Sequence, residues 1–301
     1  MPVRVVESKQ NARLKELRKA LNAPGRGALV GGASGLVGIE GPKLLEEALR
    51  AGLRVKTIFV AQGPDRALER LLDKLQVGRD VEVLELPKKL LDPALATETP
   101  QSIAALIEPP NWSWKDVLEA DRNRAPLILV LAGIQDPGNL GTILRSAEAF
   151  GATGVVSLPG TVNAWNPKAV RASAGSVFRV PVLAASVQEC IERLREARVK
   201  VLATTARGTK PADLAELNGP VALVIGNEGS GVPDGIVREA DGAIAIPCPG
   251  PVESLNAAVA ASVLLYEVSR QRATHISKPS GNPQHSSKSL PHAVADRGAR
   301  R

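Results

Sequence analysis

The chain has 301 residues, of which 44% are hydrophobic, and its formal net charge is +7. Two small domains suit this length better than one compact unit, and no apolar run is long enough to span a bilayer. The N-terminus lacks the charged, apolar and small-residue order of a secretory signal. Only two cysteines are present, so the composition argues against a disulfide framework and predicts a cytoplasmic protein.

The positive charge is concentrated at the two ends of the chain. Residues 1–30 carry a net charge of +5 and residues 276–301 a net charge of +4, so the middle carries −2. Clustered positive charge attracts polyanions through phosphate neutralisation and counterion release, and nucleic acid is the commonest such partner. The alternative explanation is that the positive charge keeps the protein soluble. Charge alone does not distinguish this role from nucleic-acid binding.

The placement of histidines and the low aromatic content limit the kinds of catalytic, metal and RNA-binding site that we expect. The three histidines lie within the last 27 residues, in a stretch rich in Ser, Pro and Gly that is typical of disorder: His275, His285 and His292. This placement argues against a histidine base, a Ser-His-Asp triad and a histidine-ligated metal, and we predict no metal site. Aromatic residues make up only 2%, so we expect RNA to be held by shape, ribose and phosphate contacts.

The first predicted element is an amphipathic helix over residues 8–21. Its apolar positions, Leu14, Leu17 and Leu21, recur at helical spacing. The basic residues around this stripe form a candidate RNA-binding face: Arg13, Lys15, Arg18 and Lys19.

Alternating strands and helices follow. One predicted strand ends near Gly41, and the others are Val55–Val60, Val81–Leu86 and Ile103–Ile107. The predicted helices are Pro42–Ala51, Pro64–Leu75 and a short one around Lys88–Leu95. This alternation predicts a small α/β domain over residues 1–108.

The run from Gly31 to Gly38 looks like a dinucleotide-binding loop. No long strand precedes it, however, and the next helix begins only after another strand-like piece. An oxidoreductase that uses a nicotinamide cofactor is therefore a distant alternative.

Residues 109–125 break the alternation and are predicted to be a linker or an interdomain helix. A second α/β domain is predicted over residues 126–272, ending in a long helix from Glu253 to Arg272. Its apolar strands are typical of a parallel sheet that is covered on both faces: Leu127–Ile134, Gly154–Leu158, Val199–Thr204, Val221–Ile225 and Ala243–Ile246. Residues 273–301 are predicted to form a basic, disordered tail.

Three polar loops follow strands of this second domain, at the sheet edge where open α/β sheets bind ligands. In the first, DPGNLG, Asn139 is predicted to cap a helix that carries Arg145 and Glu148 on one face. An ordinary capped helix with a surface ion pair is the alternative interpretation.

The second loop, GNEGSGVP, lets the backbone approach a ligand closely. It lacks the Gly-Lys-Ser/Thr ending of a Walker-type nucleotide site. The third loop, IPCPGPVESLN, is stiffened by prolines, and Ser254 is predicted to cap the long helix. A role for Cys248 as a nucleophile is disfavoured because no histidine is available to activate it.

The order and spacing of these loops resemble the three motifs of the SpoU/TrmH family within the SPOUT superfamily. The matching residues are Asn139, Gly141 and Arg145 in the first loop, Gly226, Asn227 and Glu228 in the second, and Ser254, Leu255 and Asn256 in the third. The N-terminal domain resembles the L30e-like RNA-binding domain of that family more loosely. The Gly-rich run and the proline-rich loop depart from the family pattern.

The resemblance implies an enzyme that transfers a methyl group from S-adenosylmethionine to a ribose 2′-hydroxyl of RNA, with 23S-type ribosomal RNA the expected target. A transfer RNA target and a non-catalytic RNA-binding protein are the alternatives. It also implies a deep trefoil knot in the C-terminal domain and an obligate homodimer. The cofactor would be held by the following residues: Gly226, Ile246, Leu255, Asn227 and Asn256.

The resemblance assigns the central catalytic role to Arg145, supplied by one protomer to the site of the other. An arginine is normally too basic to lose its own proton, so we expect it to stabilise the developing alkoxide and to hold the adjacent phosphate. The remaining motif side chains would orient Arg145, the ribose and the loops: Asn139, Glu228, Ser254 and Asn256.

Overall fold

The computed structural model describes residues 3–22, 35–63, 80–95, 97, 101–119, 125–206, 210–251 and 254–276. The predicted helix Pro64–Leu75, the first part of the Gly-rich run and the basic tail from residue 277 onward lie outside these residues. No helix in the described part of the chain is long and apolar enough to cross a membrane.

The N-terminal unit is a mixed five-stranded sheet with helices. Its strands are β1 (Val3–Val5), β2 (Val37–Glu40), β3 (Val55–Ala61), β4 (Glu82–Leu86) and β5 (Ile103–Ile107), in the order β1-β4-β3-β5-β2. Its helices are α1 (Ala12–Asn22), α2 (Pro42–Arg50) and α3 (Lys88–Leu91), and a 3₁₀ turn, Asp92–Ala94, follows α3. The predicted α/β unit is confirmed. Strand β1 was not predicted, because three residues with exposed valines give no local signal.

Helix α1 packs through the predicted apolar stripe. Leu14, Leu17 and Leu21 are buried against strand residues such as Phe59 and Leu84. The leucine spacing therefore fixes which side of the helix faces the sheet, and the basic residues remain on the other sides.

The C-terminal unit contains a seven-stranded sheet in which every pairing is parallel, as predicted. Its strands are β6 (Leu127–Ala132), β7 (Gly154–Ser157), β8 (Val182–Ala184), β9 (Lys200–Thr204), β10 (Lys210–Pro211), β11 (Val221–Gly226) and β12 (Gly242–Ala245), in the order β10-β12-β9-β11-β6-β7-β8. Its helices are α4 (Trp114–Leu118), α5 (Pro137–Ala149), α6 (Pro167–Ala172), α7 (Val187–Glu196), α8 (Asp234–Glu239) and α9 (Ala257–Ile276). Two 3₁₀ turns, Ser176–Phe178 and Ala212–Leu214, complete it.

Both faces of the parallel sheet are covered. Helices α5, α6 and α9 pack on one face, for example through Ile143 and Leu264. Helices α4, α7 and α8 pack on the other, for example through Val117 and Ile236. Strands such as β6 and β11 are therefore apolar at successive positions, because alternate side chains enter different helical layers.

The two units share contacts beyond the chain connection. Apolar side chains of both belong to one continuous buried cluster. Arg179 of the C-terminal unit donates to Glu47 of helix α2 at 2.7 Å and also pairs with Glu148 of helix α5. The side chain of Glu148 therefore pairs with Arg179, and this ion pair replaces the Arg145–Glu148 surface pair considered from the sequence.

Candidate active site

Strand order brings the first two polar loops side by side. Strand β11 pairs with β6 in register, with Gly226 opposite Ala132, so the loops that follow these strands begin next to each other. The third loop follows β12, which is separated from β11 by β9. The three loops thus leave the same edge of the sheet.

Asn139 joins all three loops through its side-chain amide. Its Nδ2 donates to Oε1 of Glu228 in the second loop at 2.5 Å. Its Oδ1 accepts from Nδ2 of Asn256 in the third loop at 3.1 Å. One residue from each motif therefore meets at a single hydrogen-bonded junction, which we call the Asn139 junction.

The start of helix α5 differs from the prediction. Asp136, rather than Asn139, is the N-cap, and its carboxylate accepts the backbone N–H of Asn139 at 2.8 Å. The backbone N–H of Asn139 and the nearby Lys168 ammonium lower the pKa of Asp136 from its usual value. Asn139 lies in the first helical turn, so its amide is free to reach across to the other loops. The Asp-Pro pair before it is a recognisable helix-start signal that could have found this cap.

The second loop is held by Asn227. Its Nδ2 donates to the carbonyl of Gly133 at 2.8 Å, and its Oδ1 accepts from the backbone N–H groups of Gly229 and Ser230. A Cβ atom at Gly226 would lie 2.1 Å from the carbonyl carbon of Gly231, so only glycine fits there. The loop is therefore preorganised by its own residues, with Glu228 exposed beside Asn139.

The third loop ends in a cap that differs from the prediction. Asn256 caps helix α9, because its Oδ1 accepts the backbone N–H groups of Ala258 and Val259. Ser254 lies before the helix and does not cap it, so the predicted Ser254 cap is wrong. The predicted long helix is present, but it spans Ala257–Ile276, so it begins later than predicted and includes residues 273–276, which were wrongly assigned to the disordered tail. Leu255 is half-buried, and Ile246 is half-buried against the main apolar cluster.

Arg145 lies on the same helix as Asn139, about 9 Å further along its axis at 1.5 Å per residue. Its side chain is exposed, and among the described residues it has no ion pair or hydrogen bond. The candidate catalytic cation is thus available to a phosphate or a developing negative charge.

The candidate RNA-binding residues of helix α1 differ in their surroundings. Arg13 is paired with the carboxylates of Glu16 and Glu82, which raise its pKa, whereas Lys15 and Lys19 are exposed to solvent. The side chain of Arg18 is half-buried. The two lysines therefore offer the freer positive charge on this helix.

The described residues offer neither a metal site nor a reactive buried thiol. Among the described residues, no cluster of His, Cys, Asp and Glu could hold a metal ion. Cys190 is buried, and burial raises the pKa of its thiol to about 12, so it is protonated near neutral pH.

Gly141 of the first motif has a packing role that the sequence did not reveal. A Cβ atom there would lie 2.5 Å from the carbonyl oxygen of Ala169, where helices α5 and α6 cross.

The fold and this site define the class of protein. Residues 126–266 match the SpoU rRNA Methylase family, and residues 39–113 match the family described as RNA 2'-O ribose methyltransferase substrate binding. The chain belongs to the SpoU family and is an RNA 2'-O-ribose methyltransferase.

Relatives of this chain are similar to it in sequence over most of their length. The 23S rRNA (guanosine(2553)-2'-O)-methyltransferase RlmP of Bacillus subtilis is 35% identical over 230 residues, covering 76% of this chain and 87% of the relative. An uncharacterised tRNA/rRNA methyltransferase of Mycolicibacterium vanbaalenii is 38% identical over 237 residues, covering 75% of this chain and 74% of the relative.

Solved structures agree in fold. The SpoU methyltransferase AviRb from Streptomyces viridochromogenes in complex with AdoMet has a TM-score of 0.76 and 28% identity, covering 88% of this chain and 99% of that one. An rRNA methyltransferase from Sinorhizobium meliloti has a TM-score of 0.76 and 31% identity, covering 89% and 98%.

Proposed function

We propose that this enzyme transfers a methyl group from S-adenosylmethionine to a ribose 2′-hydroxyl of 23S-type ribosomal RNA. The observation that carries the proposal is the Asn139 junction, with the unpaired Arg145 on the same helix. The target is supported by the printed activity of RlmP, and the cofactor by the AdoMet complex of AviRb.

Gly226, Ile246 and Leu255 are proposed to hold the cofactor, with Asn227 and Asn256 beside them. Gly226 ends β11 and Ile246 follows β12, and these strands lie on either side of β9, so the two backbones are separated by roughly 9–10 Å at the usual strand spacing. This separation supports a cofactor that is held between the two loops. When bound, S-adenosylmethionine supplies an electrophilic methyl group.

A trefoil knot in this unit is part of the proposal. Strand β12 lies outside β9, yet helix α9 returns to pack against β11 and α5. The chain thus returns from the outer strand β12 to the centre of the sheet, and this return supports the proposed knot. We also propose that the N-terminal domain, residues 1–108, is L30e-like and binds RNA, with residues 109–125 linking it to the SPOUT domain over residues 126–272.

The protein groups have separable tasks in this mechanism. Arg145 stabilises the negative charge that develops on the 2′-oxygen as the hydroxyl proton passes to solvent, and it holds the neighbouring phosphate. Asn139, Glu228 and Asn256 fix the loops relative to one another, so the ribose hydroxyl would be held in one orientation toward the bound cofactor. Ser254 is exposed before helix α9, and we propose that it contacts the ribose.

We propose a cytoplasmic homodimer in which each protomer lends Arg145 to the other. Helix α9 exposes an apolar stripe of Val259, Val263 and Tyr266, whose exposed fractions are 50%, 41% and 56%. The hydroxyls of Ser146 and Ser262 hydrogen-bond at 2.7 Å, so Arg145 stands next to this stripe. Covering the stripe with a second copy would bring Arg145 to the partner's site.

The proposal is tested by transfer of labelled methyl groups to unmodified ribosomal and transfer RNA, followed by nucleoside analysis. Label is expected in a 2′-O-methylated nucleoside of 23S rRNA. Label in transfer RNA alone would identify transfer RNA, rather than 23S rRNA, as the target. If the protein binds RNA but transfers no label, the result would favour a non-catalytic RNA-binding protein.

Arg145→Ala tests the assigned catalytic residue. The substitution is expected to abolish methyl transfer while leaving S-adenosylmethionine affinity within about twofold, because Arg145 lies outside the proposed cofactor residues. The matched control is Arg193→Ala, an exposed arginine on helix α7 away from the loops. Near-normal turnover by Arg145→Ala would contradict the assignment.

A further inference from the structure

A cleft of about 380 Å³ lies at the carboxyl end of β6, β7 and β11. Its lining includes Gly133 after β6, Leu158 after β7 and Ile236 on helix α8. Of the five proposed cofactor residues, Asn227 lines the cleft, and the other four do not: Gly226, Ile246, Leu255 and Asn256.

Strand connectivity explains why a cleft forms here. The chain leaves β6 toward helix α5 on one face of the sheet and leaves β11 toward helix α8 on the other. These two strands are neighbours, so their connections diverge and leave a crevice between them. Such switch points are where open α/β sheets bind ligands.

The cleft shares a loop with the proposed catalytic centre. Asn227 and Ser230 line the cleft, and Glu228 between them contacts Asn139. Gln135, one residue before the cap of helix α5, also lines it. A group seated in the cleft would therefore be a direct neighbour of the ribose held at the Asn139 junction.

The lining suits a flat ring with a polar edge. Apolar walls come from residues such as Leu158, Pro159 and Ile236. The Asn227 amide donates to the carbonyl of Gly133, and its oxygen accepts two backbone N–H groups of its own loop. In the described part of the chain, the exposed Gln135 carboxamide makes no hydrogen bond, so it offers a donor and an acceptor side by side.

We propose that this cleft receives the base of the methylated nucleotide and that Gln135 hydrogen-bonds its edge. The volume lies within the roughly 300–1,000 Å³ of small-molecule sites, which fits one base and excludes a paired duplex. Bases of single-stranded RNA can be splayed out and recognised by their edges, and a glutamine amide is suited to such contacts. The inference rests on the proposed function and adds a specificity determinant to it.

Blocking the cleft is the direct test. Gly235 lines it on helix α8, and a Cβ atom there meets nothing within 4 Å, so Gly235→Leu fills the space without a clash at the branch point. Gly219→Leu is the matched control, because its Cβ also meets nothing within 4 Å and the residue lies outside the cleft. Val187→Phe fills the cleft from helix α7 and guards against a folding defect in the first variant.

Binding of the four nucleoside 5′-monophosphates, measured by NMR titration, is compared with S-adenosylmethionine affinity. Gly235→Leu and Val187→Phe are expected to weaken nucleotide binding at least tenfold, with unchanged cofactor affinity and Tm. Gly219→Leu is expected to bind like the wild type. Gln135→Leu is expected to reduce discrimination among the four bases. Wild-type nucleotide affinity in both filled variants would overturn the proposal.

Two outcomes separate this inference from the proposed function. If nucleotide binding depends on the open cleft but the wild type transfers no methyl group, the proposed reaction is refuted and the base site is supported. If both filled variants methylate 23S rRNA at the wild-type rate, the reaction is supported and the base site is refuted.

Discussion

Asn139→Asp tests the junction that unites the three motif loops. The substituted side chain keeps its size and keeps an acceptor for Asn256, but the donor to Glu228 becomes a carboxylate oxygen. A hydrogen bond of 2.5 Å is thereby replaced by contact between two anionic groups.

The magnitude follows from the geometry. Two unit charges about 3 Å apart repel by roughly 1.4 kcal/mol in bulk water and by roughly 5.5 kcal/mol at an effective dielectric constant of about 20. The junction is partly exposed, so the repulsion lies toward the lower figure, about 2 kcal/mol. Loss of a hydrogen bond to a charged group adds roughly 1.5–3 kcal/mol. Together the two contributions come to roughly 3.5–5 kcal/mol, and since 1.36 kcal/mol is a factor of ten in rate, we expect kcat/KM to fall by about 400-fold or more.

The assay is the initial rate of methyl transfer to unmodified 23S rRNA. The double variant Asn139→Asp/Glu228→Gln restores the bond with donor and acceptor exchanged, and it is expected to recover to within about tenfold of the wild type. Asn166→Asp is the matched control, because Asn166 is an N-cap where aspartate serves equally well. A single variant within threefold of the wild type, or a double variant no faster than the single one, would refute the reasoning.

Three further expectations concern stability. Gly141→Ala forces a methyl group against the Ala169 carbonyl, so thermal unfolding is expected to show a loss of about 1–3 kcal/mol, typical of overpacking. Arg179 lowers the pKa of Glu148 from its ordinary 4.5, so the stabilisation by this pair is present above pH 4.5 and is lost as the pH falls below it. In acid titrations of stability, Glu148→Gln should flatten this loss, and an unchanged profile would count against it. Arg272→Ala removes the donor to four backbone carbonyls. The carbonyl of Pro126 keeps the backbone N–H of Val221, whereas those of Ala125, Leu217 and Gly219 lose their donor, so the substitution is expected to cost about 3 kcal/mol in urea unfolding, at the lower end of roughly 1–3 kcal/mol per unpaired carbonyl; a loss below about 0.5 kcal/mol would contradict this role.

Much of the fold could be predicted because the responsible signals are local. The leucine spacing of helix α1 and the continuous apolar strands β6 and β11 determine burial wherever the neighbours lie. Strands β8 and β10 were missed because, with three and two residues, they carry too little periodicity. The predicted N-caps of helices α5 and α9 differ from the observed ones because several polar residues near the start of each helix could serve as the cap.

The sequence by itself determined the composition of the site: three polar loops, their order, and the residue types that each contains. Only the tertiary structure decided their connections. Asn139 reaches Glu228, 89 positions away, and Asn256, 117 positions away, because β11 pairs beside β6 and helix α9 packs on α5. Glu148 pairs with Arg179, and Gln135 enters a cleft, for the same reason. Such contacts depend on strand order and on the face from which each helix leaves the sheet, and neither is encoded in a local pattern.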